Sequence, residues 1–84
     1  MKEYFFQIRH DVKADASCGG VYKVNGNDLQ EGYHELQKVY DRIQCHNPKV
    51  VAIYGHEPSV DEIDWASKKY AERHAIYISN DIEA

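Results

Sequence analysis

One continuous apolar run, VVAIYG at 50–55, restricts the fold of this chain more than any other segment. Successive side chains of a β-strand point to opposite faces, so a strand with one solvated face alternates apolar and polar residues. A run without polar residues is typical of a strand that is central in a sheet or covered on both sides. We therefore expect this run to be an inner strand.

The segment before the run has the pattern of an amphipathic helix. Its apolar stripe comprises Leu29, Tyr33, Leu36, Val39, Tyr40 and Ile43. Asp28 and Glu31 have the spacing of a capping box, and Gly32 weakens the helix by about 1 kcal/mol relative to alanine unless a neighbour packs closely there. Because the residue before Pro48 disfavours helical backbone, we expect the helix to end near 46–47.

A second helix is expected after the run, from a Ser59–Glu62 capping box to about His74. Its predicted apolar face is made of Val60, Ile63, Ala66, Tyr70 and Ala71. At about 100° per residue, the only tryptophan, Trp65, points roughly 160° away from Ile63. Its expected neighbours are the polar residues Asp61, Lys68 and Glu72. A large indole on a polar face predicts that a second surface covers it.

Three shorter segments complete the pattern. Aromatic and β-branched residues predict strands at 3–10, 21–25 and 75–79, with a connection at 11–20 and a frayed tail at 80–84. The first two strands are expected to pair antiparallel, whereas connections through single helices favour parallel neighbours.

The resulting element order is β-β-α-β-α-β, and the expected fold class is α/β (α+β). We predict a single two-layer domain over residues 1–84, in which two helices share one face of a four-stranded mixed sheet. The other face would be partly open, and Phe5 and Tyr22 would form an aromatic patch on it. The open face is a natural site for dimerisation, and the patch either serves there as a contact surface or closes over the domain's own core.

Composition and charge exclude several classes of function. The 10 basic and 14 acidic residues give this small acidic protein a net charge of −4, so it lacks the basic footprint of a sequence-independent nucleic-acid binder. The acidic excess lies in residues 50–84, which carry three basic and seven acidic side chains. No segment approaches the roughly 18 apolar residues of a membrane span, and no signal peptide is evident. We therefore expect a cytoplasmic protein in which Cys18 and Cys45 stay reduced.

The loop after the inner strand is the candidate ligand site. Its candidate ligand-binding residues are Gly55, His56, Glu57 and Ser59. Open α/β sheets commonly bind ligands where a strand gives way to a helix N-terminus, and His56 is suited to carry a proton. Against this, the loop has no G-x-G-x-x-G or P-loop pattern, and Asp61 and Glu62 would repel a phosphate.

Other chemistry has little support in the sequence. The histidines and cysteines show no C-x-x-C, H-x-x-x-H or H-E-x-x-H spacing, so we expect no metal site and no cofactor. Cys18 lies beside a glycine pair, with nothing in the sequence that marks it as an activated nucleophile.

Our leading hypothesis is a non-enzymatic protein-binding module, such as an inhibitor or regulatory subunit, or a self-associating homodimer. The predicted interface residues are Trp65, Asp61, Asp64, Lys68, Lys69, Glu72, Phe5 and Tyr22. The alternative is a small-molecule or nucleotide-binding domain that uses the loop from Gly55 to Ser59, either as a binding site alone or as the active site of an enzyme. Binding of single-stranded nucleic acid on the sheet face ranks last, because the net charge opposes it.

Overall fold

The computed structural model describes residues 1–10, 20–44 and 48–82. Within these ranges the elements, in chain order, are β1 Lys2–His10, β2 Gly20–Gly26, α1 Leu29–Ile43, β3 Pro48–Tyr54, α2 Val60–Arg73 and β4 Tyr77–Ile78. The strands form one sheet in the order β2-β1-β3-β4. Strand β1 is antiparallel to both β2 and β3, whereas β3 and β4 are parallel. The predicted four-stranded mixed sheet and its element order are confirmed.

Helix α1 covers one face of the sheet and packs on it through a cluster of aliphatic and aromatic side chains. Alternate residues of β1 point towards it, and its own stripe supplies the other half of the core. The buried members are Tyr4, Phe6, Ile8, Val24, Leu36, Val39 and Ile53. A Cβ atom on Gly32 would lie 3.1 Å from the ring of Tyr4. The glycine inside the helix is therefore explained by the close approach of α1 to β1.

Helix α2 covers the opposite face. Ala66 is buried there with Val51, Ala52 and Tyr54 of β3. The two-layer arrangement with both helices on one face is therefore wrong, because the sheet lies between the helices. The physical reason is the inner strand itself, since β3 presents Ile53 to the α1 cluster and Ala52 and Tyr54 to the α2 cluster, so each face needs its own cover.

A polar contact fixes α2 to the sheet. The side chain of Gln7 is buried, and its Nε2 donates to the carbonyl oxygen of Ile63 (3.1 Å) and to Ser67 Oγ (2.9 Å). The Tyr54 hydroxyl donates to Gln7 Oε1 at 2.7 Å. Burial, reinforced by the charge of Glu62, raises the pKa of Tyr54 to about 12, so the hydroxyl keeps its proton.

The helix ends are set by local hydrogen bonds. Asp28 caps α1 by accepting from the Glu31 N–H at 2.9 Å. Helix α1 ends at Ile43, earlier than predicted, because Gln44 adopts a left-handed conformation with its N–H bonded to the Tyr40 carbonyl. The expected end at 46–47 lies outside the described residues. Helix α2 ends as predicted, with His74 in the same left-handed conformation (φ 54°).

The apolar face predicted for α2 is partly wrong. Val60 is 72% exposed and Ala71 is also exposed, whereas Ala66 is buried and Ile63 and Tyr70 are half-buried. The contact of α2 with the sheet also includes a polar residue, because Ser67, although exposed, accepts a hydrogen bond from Gln7. In the described part of the chain, no helix has the length and apolar character needed to cross a bilayer.

Candidate functional site

Trp65 lies on the side of α2 that faces β4. Its side chain is 48% exposed, and its ring forms an edge-to-face contact with the Tyr77 ring, with centroids 4.9 Å apart and planes at 80°. An edge-to-face contact of this kind is a favourable aromatic geometry. The indole is thus held in place by its own chain while about half of its surface remains open to a partner.

A shallow groove runs beside this aromatic pair. We call it the aromatic groove, and it is lined by Asp61, Glu62, Trp65 and Tyr77 and has a volume of about 270 Å³. Asp61 lies one helical turn before Trp65, and its side-chain carboxylate has no hydrogen-bond or ion-pair partner among residues 1–10, 20–44 and 48–82. Lys69 lies one turn after Trp65, with its Nζ 5.9 Å from the ring centroid. The groove therefore combines an aromatic wall with an unpaired carboxylate.

A second cluster stands at the loop after β3, and we call it the His56 cluster. The Nδ1 atom of His56 lies 2.8 Å from Asp81 Oδ2, and its Nε2 atom lies 2.8 Å from Glu62 Oε2. Both contacts are satisfied at once only by the doubly protonated ring, which donates from each nitrogen. These hydrogen bonds, the one to Asp81 first and the one to Glu62 second, raise the pKa of His56.

The two carboxylates of the cluster are themselves held by the backbone and by hydroxyl groups. Ser79 donates from its hydroxyl to Asp81, and this bond, with the bond to His56, lowers the pKa of Asp81 to about 2. Glu62 accepts from the Ser59 N–H at 3.0 Å in the predicted capping box, and this bond, followed by the one from His56, lowers the pKa of Glu62. The cluster joins the end of β3, the start of α2 and the segment after β4.

Gly55 is the position that lets the segment after β4 approach. Its N–H donates to Ser79 Oγ at 3.1 Å and to Asp81 Oδ1 at 3.3 Å. A Cβ atom on Gly55 would lie 2.9 Å from the carboxyl group of Asp81, which is too close for any larger residue without a shift. A larger residue at this position would therefore have to displace the Asp81 carboxyl group from its present hydrogen bonds.

The loop's geometry disfavours catalysis and anion binding. Both ring nitrogens of His56 are already bonded to carboxylates, so neither is open to a substrate. The Glu62 N–H at the start of α2 donates to Ser59 Oγ at 3.2 Å, which leaves one fewer N–H for a phosphate. A polar groove of about 720 Å³ does lie at this loop, lined by Gly55, His56 and Glu57 together with Phe5 and Lys23. The Ser59 side chain instead caps the N-terminus of α2.

The structure brings together only part of the predicted interface. Asp61, Trp65 and Lys69 lie side by side, and Glu72 lies 3.9 Å from the Lys69 ammonium. The remaining predicted residues of α2, Asp64 and Lys68, are exposed on the same helix but do not line the groove.

Phe5 and Tyr22 do not form the expected aromatic patch. Tyr22 is paired with Phe6 in the sheet and packs against the core under α1. Phe5 is paired with Lys23 and packs against the core under α2. Neighbouring residues of β1 point to opposite faces, so the two rings lie on opposite sides of the sheet.

Sequence reasoning missed two members of these sites. Asp81 falls in the segment predicted to be a frayed tail, yet it anchors that segment to His56 and Gly55. Tyr77 forms the second wall of the aromatic groove, and nothing in its local pattern marks it, because its contact with Trp65 depends on the parallel pairing of β3 with β4.

Two further predictions concern metals and cysteines. Among the described residues, no group of three or more His, Cys, Asp and Glu side chains is arranged to hold a metal ion. Cys18 and Cys45 lie outside the described residues.

Comparison with known proteins gave no match to any protein-family model, curated protein or solved structure.

Proposed function

We propose that this chain is a non-enzymatic protein-binding module, acting as a cytoplasmic inhibitor or regulatory subunit, whose interface is centred on the aromatic groove. The observation that carries the proposal is the half-exposed indole of Trp65, fixed edge-on against Tyr77. Tryptophan and tyrosine are among the residues that contribute most to protein–protein affinity.

The magnitude of the available binding energy supports this assignment. Covering the open half of an indole removes on the order of 100 Å² of mostly apolar surface, which corresponds to about 2–3 kcal/mol. The contact with Tyr77 already restricts the ring, so less side-chain entropy is lost when a partner covers it. A pre-positioned aromatic residue of this kind is suited to be a hot spot.

Ligand binding at the loop from Gly55 to Ser59 is the second candidate, and the groove of about 720 Å³ beside His56 favours it. The bonded ring nitrogens of His56 and the capped helix start weigh against it. Nucleic-acid binding is disfavoured, because Phe5 and Tyr22 lie on opposite faces of the sheet and cannot together form a surface on which bases stack.

The test compares Trp65→Ala with Val60→Ala, a matched loss of an exposed apolar side chain from the same helix outside the aromatic groove. Both variants are expected to keep the circular dichroism spectrum of the wild type, since neither side chain is buried. Self-association is measured by sedimentation velocity, and association with other proteins by capture from native lysate on the immobilised chain.

We expect Trp65→Ala alone to lose the association, whether the partner is a second copy or another protein. If Trp65→Ala and wild-type protein associate equally well, the proposal is wrong. If Trp65→Ala unfolds the chain, the indole is structural and the proposal loses the observation that carries it.

A further inference from the structure

The aromatic groove is lined by two carboxylates and two aromatic rings. The faces of the Trp65 and Tyr77 rings carry the negative side of the aromatic quadrupole. Asp61 adds a full negative charge at the rim. The second carboxylate, that of Glu62, is already bonded to His56 and to the Ser59 N–H, so Asp61 is the one with unused acceptor capacity.

Two classes of occupant fit this chemistry poorly. An anionic group would meet Asp61 and Glu62 at close range and be repelled. An uncharged apolar side chain would cover Trp65 but would also strip water from the Asp61 carboxylate without replacing its hydrogen bonds, which is costly. A cation with N–H donors satisfies both at once, through a cation–π contact with the rings and a charge-assisted hydrogen bond to the carboxylate.

The chain already places one cation against this indole. The ammonium group of Lys69 lies 5.9 Å from the ring centroid, a distance typical of a cation–π contact. Lys69 follows Trp65 by one helical turn, whereas Asp61 precedes it by one turn, and of these two charged residues only Asp61 lines the groove.

The size of the groove favours a side chain over a free ligand. Its volume of about 270 Å³ is below the roughly 300–1,000 Å³ of pockets that enclose small-molecule ligands. The surrounding sequence adds to the attraction, since residues 50–84 carry seven acidic and three basic side chains.

We infer that the partner's anchoring group is a cationic side chain, the ammonium of a lysine or the guanidinium of an arginine, which enters the aromatic groove and pairs with Asp61 against Trp65 and Tyr77. This inference rests on the proposed function and specifies the chemistry of the partner. It predicts that the partner presents a basic surface around that residue.

The single tryptophan provides a direct probe. The indole N–H signal of Trp65 is followed in ¹H–¹⁵N spectra while short peptides of glycine and serine are added at constant ionic strength. One peptide carries a central arginine, and its control carries citrulline, the uncharged analogue of the same shape. A second pair carries lysine and acetyl-lysine. We expect saturating shifts with the arginine and lysine peptides, and roughly three- to tenfold weaker binding of the uncharged controls.

A matched pair of variants localises the effect. Asp61→Asn and Asp64→Asn each remove one negative charge from the start of α2, but only Asp61 lines the groove. We expect Asp61→Asn to weaken the arginine peptide by roughly three- to tenfold and Asp64→Asn to leave it nearly unchanged. Equal effects of the two variants, equal binding of arginine and citrulline, or no shift with any peptide would each overturn the inference.

The inference and the proposed function fail in different ways. If Trp65→Ala loses its protein partner while the peptides show no preference for charge, the protein-binding function stands and the cationic anchor is wrong. If Trp65→Ala keeps all associations of the wild type, the function on which the inference rests is wrong as well.

Discussion

The two helices are attached to the sheet by different kinds of interaction. Under α1 the buried cluster consists of aliphatic and aromatic side chains, and Phe6 and Leu36 are completely buried in it. Under α2 the apolar cluster is smaller, and the helix is held in addition by the hydrogen bonds that Gln7 Nε2 donates to Ser67 Oγ and to the Ile63 carbonyl oxygen. Apolar burial is non-directional and dominates stability, whereas buried hydrogen bonds fix a position.

The two faces of the sheet therefore have different roles. The α1 face uses its whole apolar stripe for cohesion, so its aromatic residues Tyr33 and Tyr40 pack against the core. The α2 face positions its helix with a few directional bonds and leaves Trp65 half-exposed beside β4. We therefore expect substitutions on the α1 face to change stability and substitutions around Trp65 to change association.

The largest effect is expected from Leu36→Ala. The side chain is completely buried between α1 and β1, and such truncations cost about 2–5 kcal/mol. A chain of 84 residues has a total stability of roughly 4–13 kcal/mol, so a large share is lost. Urea unfolding followed by circular dichroism measures the loss. A cost below about 1 kcal/mol would contradict an apolar core on the α1 face.

The next effect is expected from Tyr54→Phe on the α2 face. The variant keeps the ring but removes the hydroxyl that donates to Gln7 Oε1, and it leaves that buried oxygen without its donor. Leaving a buried polar group unsatisfied costs about 1–3 kcal/mol. Urea unfolding measures this cost, and loss of hydrogen-exchange protection in α2 would place it at that helix. A neutral outcome would mean that the polar contact does not hold α2 to the sheet.

Tyr4→Phe is the matched substitution on the α1 face, with an opposite expected sign. The Tyr4 hydroxyl is buried and has no hydrogen-bond partner among the described residues. Removing it eliminates an unsatisfied polar group, so we expect the free energy of unfolding to rise by up to about 1 kcal/mol. The same urea titration decides the sign. Equal destabilisation by Tyr4→Phe and Tyr54→Phe would remove the contrast between an apolar and a polar face.

The local structure could be predicted from the sequence because its causes are local. The capping box of Ser59 and Glu62, the stripe of α1 and the turn at His74 all involve residues within a few positions of one another. The continuous apolar run at 50–55 already favoured a strand that is covered on both faces. The prediction that both helices lie on one face of the sheet was inconsistent with that pattern.

The site depended on pairings that the sequence does not reveal. Gln7 alternates with apolar residues as a solvated residue would, yet its hydrogen-bond partner Ser67 lies 60 positions later. Asp81 sits in a polar, terminal segment, and its partner His56 lies 25 positions earlier. The exposed side of Trp65 was predictable from its rotational position, whereas its contact with Tyr77 required the order of the strands.

The smallest expected effect is a pH dependence confined to the α2 side, where the His56 cluster lies. The raised pKa of His56 stabilises the fold fully below its ordinary value of 6.5, and this stabilisation is lost as pH rises through the raised pKa. The lowered pKa values of Glu62 and Asp81 stabilise the fold above their ordinary values of 4.5 and 3.8, and this part is lost as pH falls. The cluster therefore contributes most between about pH 4.5 and 6.5.

The dependence is expected to be a small fraction of the total stability, because His56 and both carboxylates are partly exposed. Urea midpoints from pH 5.5 to pH 9 should fall for the wild type and fall less for His56→Gln, which cannot titrate. Hydrogen-exchange protection is expected to decline first at residues 79–82, the segment that Asp81 ties to the loop, while α1 is unaffected. An identical pH dependence of the urea midpoint in wild type and His56→Gln would show that titration of His56 does not change stability. A loss of protection centred on α1 would contradict the assignment of the pH dependence to the α2 face.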